Sequence, residues 1–169
     1  MKISTVVSSL SVALALAACS SSGGSSSLTA DQIQAMPITA KMPTKGKAVY
    51  KAKSSAHFAT DDGTATLTSD VSLSADFATS SINARVANMQ VQYPDAHIAH
   101  FTGTMVGTGE IINADFIVYA DGTITGANGP FNSEAEIYGT FKGPNAEGIQ
   151  GVMTIDGFIT DSGLIAIRQ

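Results

Sequence analysis

Between Thr64 and Phe77 the chain alternates polar and apolar residues with a period of two. Ala65, Leu67, Val71, Leu73, Ala75 and Phe77 share one face, interrupted only by Ser69. The intervening positions, Asp70 and Asp76 among them, are all polar. Successive side chains of a strand point to opposite faces, so this pattern specifies one long strand with a single buried face. Leu73 and Phe77 are therefore expected to point inward and Asp70 and Asp76 to face solvent. Strands usually run about five or six residues, and one this long suits a barrel or a strongly twisted sheet better than a small sandwich.

Shorter runs of the same kind predict strands near residues 48–58, 82–91, 100–108, 111–120, 134–142, 149–156 and 163–168. Ala78–Ser81 and Asp61-Asp62-Gly63 read as hairpin turns. Asp121-Gly122 is a hairpin dipeptide, which makes Thr123–Gly126 an extra short strand. Gln92–Ala99 and Gly126–Ser133 read as the longest irregular stretches. The fold class expected is all-β: a single antiparallel up-and-down barrel of about eight strands, which leaves no exposed sheet edge.

The N-terminus reads differently. Lys2 and the apolar run Val6–Ala18 form a secretory signal, too short to span a bilayer as a helix. It ends in Leu16-Ala17-Ala18-Cys19, which resembles a bacterial lipobox, and Cys19 is the chain's single cysteine. Residues 1–18 are thus expected to be a lipoprotein signal peptide, and Cys19 to become the lipidated first residue of the mature protein. Several acyl chains on one residue anchor stably. Ser20 follows, where an Asp would favour inner-membrane retention, so the outer membrane is implied, with possible display at the cell surface. Residues 19–27 form the lipidated cysteine and a Ser/Gly tether reaching about 15 Å. Residues 28–47 form a short helix and lead-in, with Thr29 and Gln32 as a capping box and Pro37 as the stop. Residues 48–169 form the barrel.

Composition narrows the function. The formal net charge is −5, from 9 Lys and Arg against 14 Asp and Glu, which leaves no basic footprint for nucleic acid. One cysteine excludes an internal disulfide and a multi-cysteine zinc site. No G-x-S-x-G elbow and no phosphate-binding glycine loop before a helix is present. Glu134 and Glu136 share one solvated strand face, without an apolar setting that would separate two carboxyl pKa values. An enzyme is not expected.

From Gly46-Lys47-Ala48-Val49-Tyr50-Lys51 onward the mature chain resembles the β-barrel domain of transferrin-binding protein B, shared with factor H-binding protein and other surface lipoproteins. Leu73-Ser74-Ala75-Asp76-Phe77 followed by Ser81-Ile82-Asn83-Ala84 is similar to a hairpin of that family, and Phe101-Thr102-Gly103 continues its glycine-punctuated strands. The most specific match is Gly139-Thr140-Phe141-Lys142-Gly143-Pro144-Asn145-Ala146, a G-x-F-x-G-x-x-A segment. The sequence departs just after it: Glu147 comes one residue early, and Gln150-Gly151 replaces paired glycines. The resemblance implies a non-catalytic binding module for a host or envelope macromolecule. It does not carry over transferrin binding itself, because the transferrin-binding members have two lobes with added handle domains.

Clustered ligand chemistry occurs in Tyr93-Pro94-Asp95-Ala96-His97-Ile98-Ala99-His100. Tyr93, His97 and His100 are the candidate partner contacts there. Two imidazoles three residues apart could also serve haem or a metal, which leaves a small-ligand or haem carrier as the alternative to a plain polar loop. No cofactor is otherwise implied. His57 reads as a strand-surface residue. Met89, Met105 and Met153 with Phe77, Phe101, Phe116 and Phe141 read as barrel filling rather than a ligand cavity. Tyr50, Tyr93, Tyr119 and Tyr138 are candidate outward anchors.

Overall fold

The computed structural model describes residues 28–156 and 158–169. The expected signal peptide, Cys19 and the tether fall outside the described residues. A short helix, α1 (Ala30–Ala35), precedes eight strands: β1 (Lys47–Thr60), β2 (Gly63–Asp76), β3 (Ser81–Gln92), β4 (Ile98–Ile112), β5 (Asp115–Gly126), β6 (Gly129–Lys142), β7 (Gly148–Ile155) and β8 (Phe158–Arg168). Each pairs antiparallel with the next, and β8 returns to β1 through Tyr50 and Arg168, closing the barrel. The up-and-down order places successive turns at alternate ends.

The capping box forms as the sequence requires: the Thr29 side chain accepts from the Gln32 amide and the Gln32 side chain from the Thr29 amide. The helix buries Ile33, which packs over Gly148 at the start of β7. The lead-in then crosses the same end of the barrel, bonding the Thr39 amide to the Phe141 carbonyl and the Phe77 amide to the Gly46 carbonyl. We call this the capped end. The far end carries the turns β1–β2, β3–β4, β5–β6 and β7–β8.

Alternation in β2 is realised as expected, with Ala65, Leu67, Val71, Leu73, Ala75 and Phe77 buried. Ser69, the break in the row, also points inward and is 3% exposed; its hydroxyl meets no hydrogen-bond partner among the described residues. Tyr50, Leu73, Ile82, Met105, Ile137, Phe141, Met153 and Leu164 fill the interior. Phe141 anchors the capped half, with the rings of Tyr50, Phe77 and Phe116 at 5.6–5.8 Å.

The G-x-F-x-G-x-x-A segment has a physical reading. A side chain at Gly139 would collide with Phe116, Phe141 is core, and Gly143 takes φ +85° at the turn after β6. Ala146 is fully buried with φ +57°, and its carbonyl accepts a 2.7 Å hydrogen bond from the Tyr50 hydroxyl. Glu147, where the sequence departs from the family pattern, folds its carboxylate back over the turn to accept from the Asn145 amide and side chain, both at 2.9 Å.

Four expectations are corrected. Tyr50 is not an outward anchor: it lies inside β1 with Ala48 and Ala56, and burial raises its phenol pKa. Asp121-Gly122 does not turn the chain, and Thr123–Gly126 is not a separate strand; β5 runs straight through both. Gly122 is there because β5 lies against the Thr104 carbonyl of β4, where a Cβ would come within 2.2 Å. The β4–β5 turn falls at Asn113-Ala114, with Asn113 at φ +56°, and not between residues 108 and 111, so Ile111 and Ile112 belong to β4, and the turn after β5 lies between Gly126 and Gly129. Gly126–Ser133 is likewise not irregular: β5 and β6 pair out to Gly126 and Gly129.

Candidate functional site

Between β3 and β4 the loop Tyr93–His97 is closed by its own backbone. The Tyr93 amide donates to the His97 carbonyl at 2.9 Å and the Ala96 amide to the Tyr93 carbonyl at 3.0 Å. Asp95 accepts from the His97 amide at 2.9 Å, and Ala96 takes φ +66° to complete the reversal. Pro94 restricts its own φ, so the loop has few alternatives. Its ring also lies against the β1–β2 turn, 3.2 Å from where a Cβ on Gly63 would sit. The consequence is an exposed but fixed aromatic pair: the Tyr93 and His97 rings stack at 6.0 Å with 24° between their planes. Ile98 beside them is 44% exposed.

His100 stands on the outer wall, opposite Gln90 in the β3–β4 ladder. It lines a shallow groove across β1–β4 with Lys53, Asp70, Asn88, Gln90 and Thr102. The groove follows from register. The β2–β3 ladder shifts between Thr68 and Asp70 and the β3–β4 ladder between Ala87 and Met89. Such bulges bend the strand and re-aim side chains. Asn88, at φ +53°, reaches Asp70 at 2.8 Å, and Lys53 pairs with the other Asp70 oxygen at 3.1 Å. The Asn88 hydrogen bond and then Lys53 hold the Asp70 carboxyl below its ordinary pKa.

The structure therefore gathers Tyr93 and His97 into one unit and sets His100 on the adjoining strand wall. It does not converge the two imidazoles on a common partner: His97 stacks on Tyr93, and His100 faces the groove. Among the described residues no group of three or more His, Cys, Asp or Glu could hold a metal ion. His57 is on the outer surface, 3.0 Å from the Thr66 hydroxyl.

A second outer feature joins residues that the sequence reading kept apart. Tyr119 and Tyr138 are outward, 63% and 48% exposed, and both engage Glu136. Tyr138 donates to the carboxylate at 2.5 Å, which with the nearby negative charge pushes its phenol up to about 12. Asp121 and Glu134 face one another directly across the same two strands. Only the β5–β6 register reveals these pairings; the visible signal was the shared parity of Glu134, Glu136 and Tyr138.

Among solved structures, the chain is similar to a mutant of the vaccine antigen Transferrin Binding Protein B from Haemophilus parasuis Hp5, at 14% identity and TM-score 0.48, covering 78% of this chain and 28% of that one. It is similar to a surface lipoprotein at 14% identity and TM-score 0.49, covering 78% of this chain and 65% of that one. Intact Ap-TbpB, with N and C lobes, matches at 16% identity and TM-score 0.48, covering 78% of this chain and 28% of that one. The chain thus spans less than two thirds of each of these proteins. No curated protein matches it. The family model described as the C-lobe and N-lobe beta barrels of Tf-binding protein B matches residues 36–163, and the chain belongs to that family.

Proposed function

We propose that this protein is a non-catalytic binding module, held to the outer membrane by lipid on Cys19, whose barrel presents its far end to a host or envelope macromolecule. One observation carries the reading: the barrel interior is filled, while the exposed Tyr93–His97 pair is stacked on a hairpin tip closed by its own hydrogen bonds. Tyr50, Phe141, Leu73, Ile137 and Met105 are each fully buried, so binding is left to the outer surface and loops. Tyrosine favours interfaces because it brings a large contact area with little entropy to lose. Membership of the family of Tf-binding protein B beta barrels supports a binding role. Tyr93, His97 and His100 are proposed as the contact residues, with His100 extending the contact from the loop into the groove.

Two measurements test the reading. Metabolic labelling with a clickable fatty acid should mark the wild-type protein and not Cys19→Ser, and equal labelling removes the anchor from the account. Capture from host serum and from envelope extract with the acyl-free domain should yield a partner that Tyr93→Ala weakens. Capture unaffected by that change moves the contact elsewhere.

A further inference from the structure

Charge is unevenly distributed over the barrel. Lys41 and Lys45 on the lead-in, Lys47, Lys51 and Lys53 on β1, and Arg85 on β3 are all exposed. Only Asp70 and Asp76 face them from β2, paired with Lys53 and Lys47 at 3.1 Å each. Lys51, Lys53 and Arg85 line one shallow depression of the β1–β3 wall. This flank therefore holds six cations against two carboxylates within a chain of net charge −5. Elsewhere at the capped end Lys142 and Arg168 are outnumbered by Asp31 on α1, Glu110 on β4, Asp115 and Glu147, so the cationic surface is confined to the lead-in and the β1–β3 flank. The far end is the opposite: its turns carry Asp61, Asp62, Asp95 and Asp156 and no Lys or Arg.

The described residues begin at Leu28, one residue before the α1 cap, at the capped end. We propose that the lead-in and the lower β1–β3 flank form a membrane seat, a cationic surface that docks on the anionic lipid headgroups around the anchor. The inference rests on the lipid-anchor reading and deepens it. A tether of this composition has an r.m.s. span of about 15 Å, roughly one and a half to two Debye lengths, so the flank meets the surface potential when the tether's fluctuations bring it to the bilayer. Lysines near an anionic leaflet are attracted, and one lipid signal combined with a basic patch orients a domain as well as retaining it. The acidic far end is repelled by the same surface. The barrel then stands with its capped end and β1–β3 flank down, and Tyr93 and His97 away from the bilayer.

The test supplies the anchor chemically. Cys19 is the single cysteine, so a chain of residues 19–169, carrying every described element, couples through that thiol to maleimide-lipid in vesicles. Amine acylation read by mass spectrometry then compares phosphatidylglycerol-containing with purely phosphatidylcholine vesicles. Acylation of Lys41, Lys45, Lys47 and Lys51 should fall about threefold or more on the anionic vesicles and recover at high salt, as screening requires. Lys142, on the β6 side of the same end, is the internal reference and should change less. Lys41→Glu, Lys45→Glu and Lys51→Glu combined should abolish the protection of Lys47. Equal acylation on both vesicles, or protection of Lys142 as strong as that of Lys45, overturns the seat. Because coupling bypasses cellular lipidation, that result is distinct from a failure of Cys19 to label in cells.

Discussion

The hydroxyl of Tyr50 donates to the carbonyl of Ala146 at 2.7 Å, joining the first strand to the turn after the sixth across 96 residues of sequence. Both groups are fully buried, so neither finds water as a substitute. Tyr50→Phe keeps the ring in contact with Phe141 but leaves the Ala146 carbonyl without its donor. It should cost about 1–3 kcal/mol, the penalty for an unsatisfied buried group. Urea unfolding measures this; an unchanged midpoint would show that the bond contributes nothing net.

Register in β2 makes a paired prediction. Leu73→Ala removes a fully buried side chain and should cost about 2–5 kcal/mol. Asp70→Ala removes only an exposed ion pair and a side-chain hydrogen bond, and should cost less than about 1 kcal/mol. Equal losses in denaturant would contradict the inward and outward assignment.

Gly122→Ala tests the corrected β4–β5 pairing. A Cβ there falls 2.2 Å from the Thr104 carbonyl oxygen, and backbone cannot step aside as a flexible side chain can. Destabilisation of about 1–3 kcal/mol is expected, as for other overpacking changes. A neutral substitution would place Gly122 in a turn, where the dipeptide rule puts it.

That position shows where the sequence was legible and where it was not. Period-two alternation was sufficient for β2 because one face is buried along its length and no local signal competes. At Asp121-Gly122 the local rule and the tertiary contact make opposite demands on the same glycine, and the neighbouring strand prevails. Tyr50 shares parity with Ala48 and Ala56, a pattern too poor in large apolar residues to announce an inward face. The Tyr93–His97 cluster was visible as a run of ligand-type residues. The groove beside it was not, because it depends on two ladder shifts that leave no mark in hydrophobic periodicity.

Acid should weaken the fold in a defined direction. Asp70 and Asp76 are held below their ordinary pKa, chiefly by hydrogen bonds from Asn88 and Lys47 respectively. For Glu147 burial works against the charge, but the Asn145 hydrogen bonds and nearby Arg168 outweigh it. A carboxyl depressed in the folded state contributes stability fully above its unfolded pKa, near 4, and loses it as pH falls through the folded value. Melting temperature should therefore fall below about pH 4, less steeply for Asp70→Asn, and high salt should reduce the difference. Identical acid profiles for wild type and Asp70→Asn would remove Asp70 from the linkage.

The central claim is that binding belongs to the far-end loop and its groove rather than to the barrel interior. The most direct measurement compares the captured partner's affinity for the wild-type domain and for the triple variant Tyr93→Ala, His97→Ala, His100→Ala, with melting temperature recorded on both. All three side chains are exposed, so the account predicts affinity lower by tenfold or more, about 1.4 kcal/mol, at nearly unchanged melting temperature. Undiminished affinity in the triple variant would contradict it.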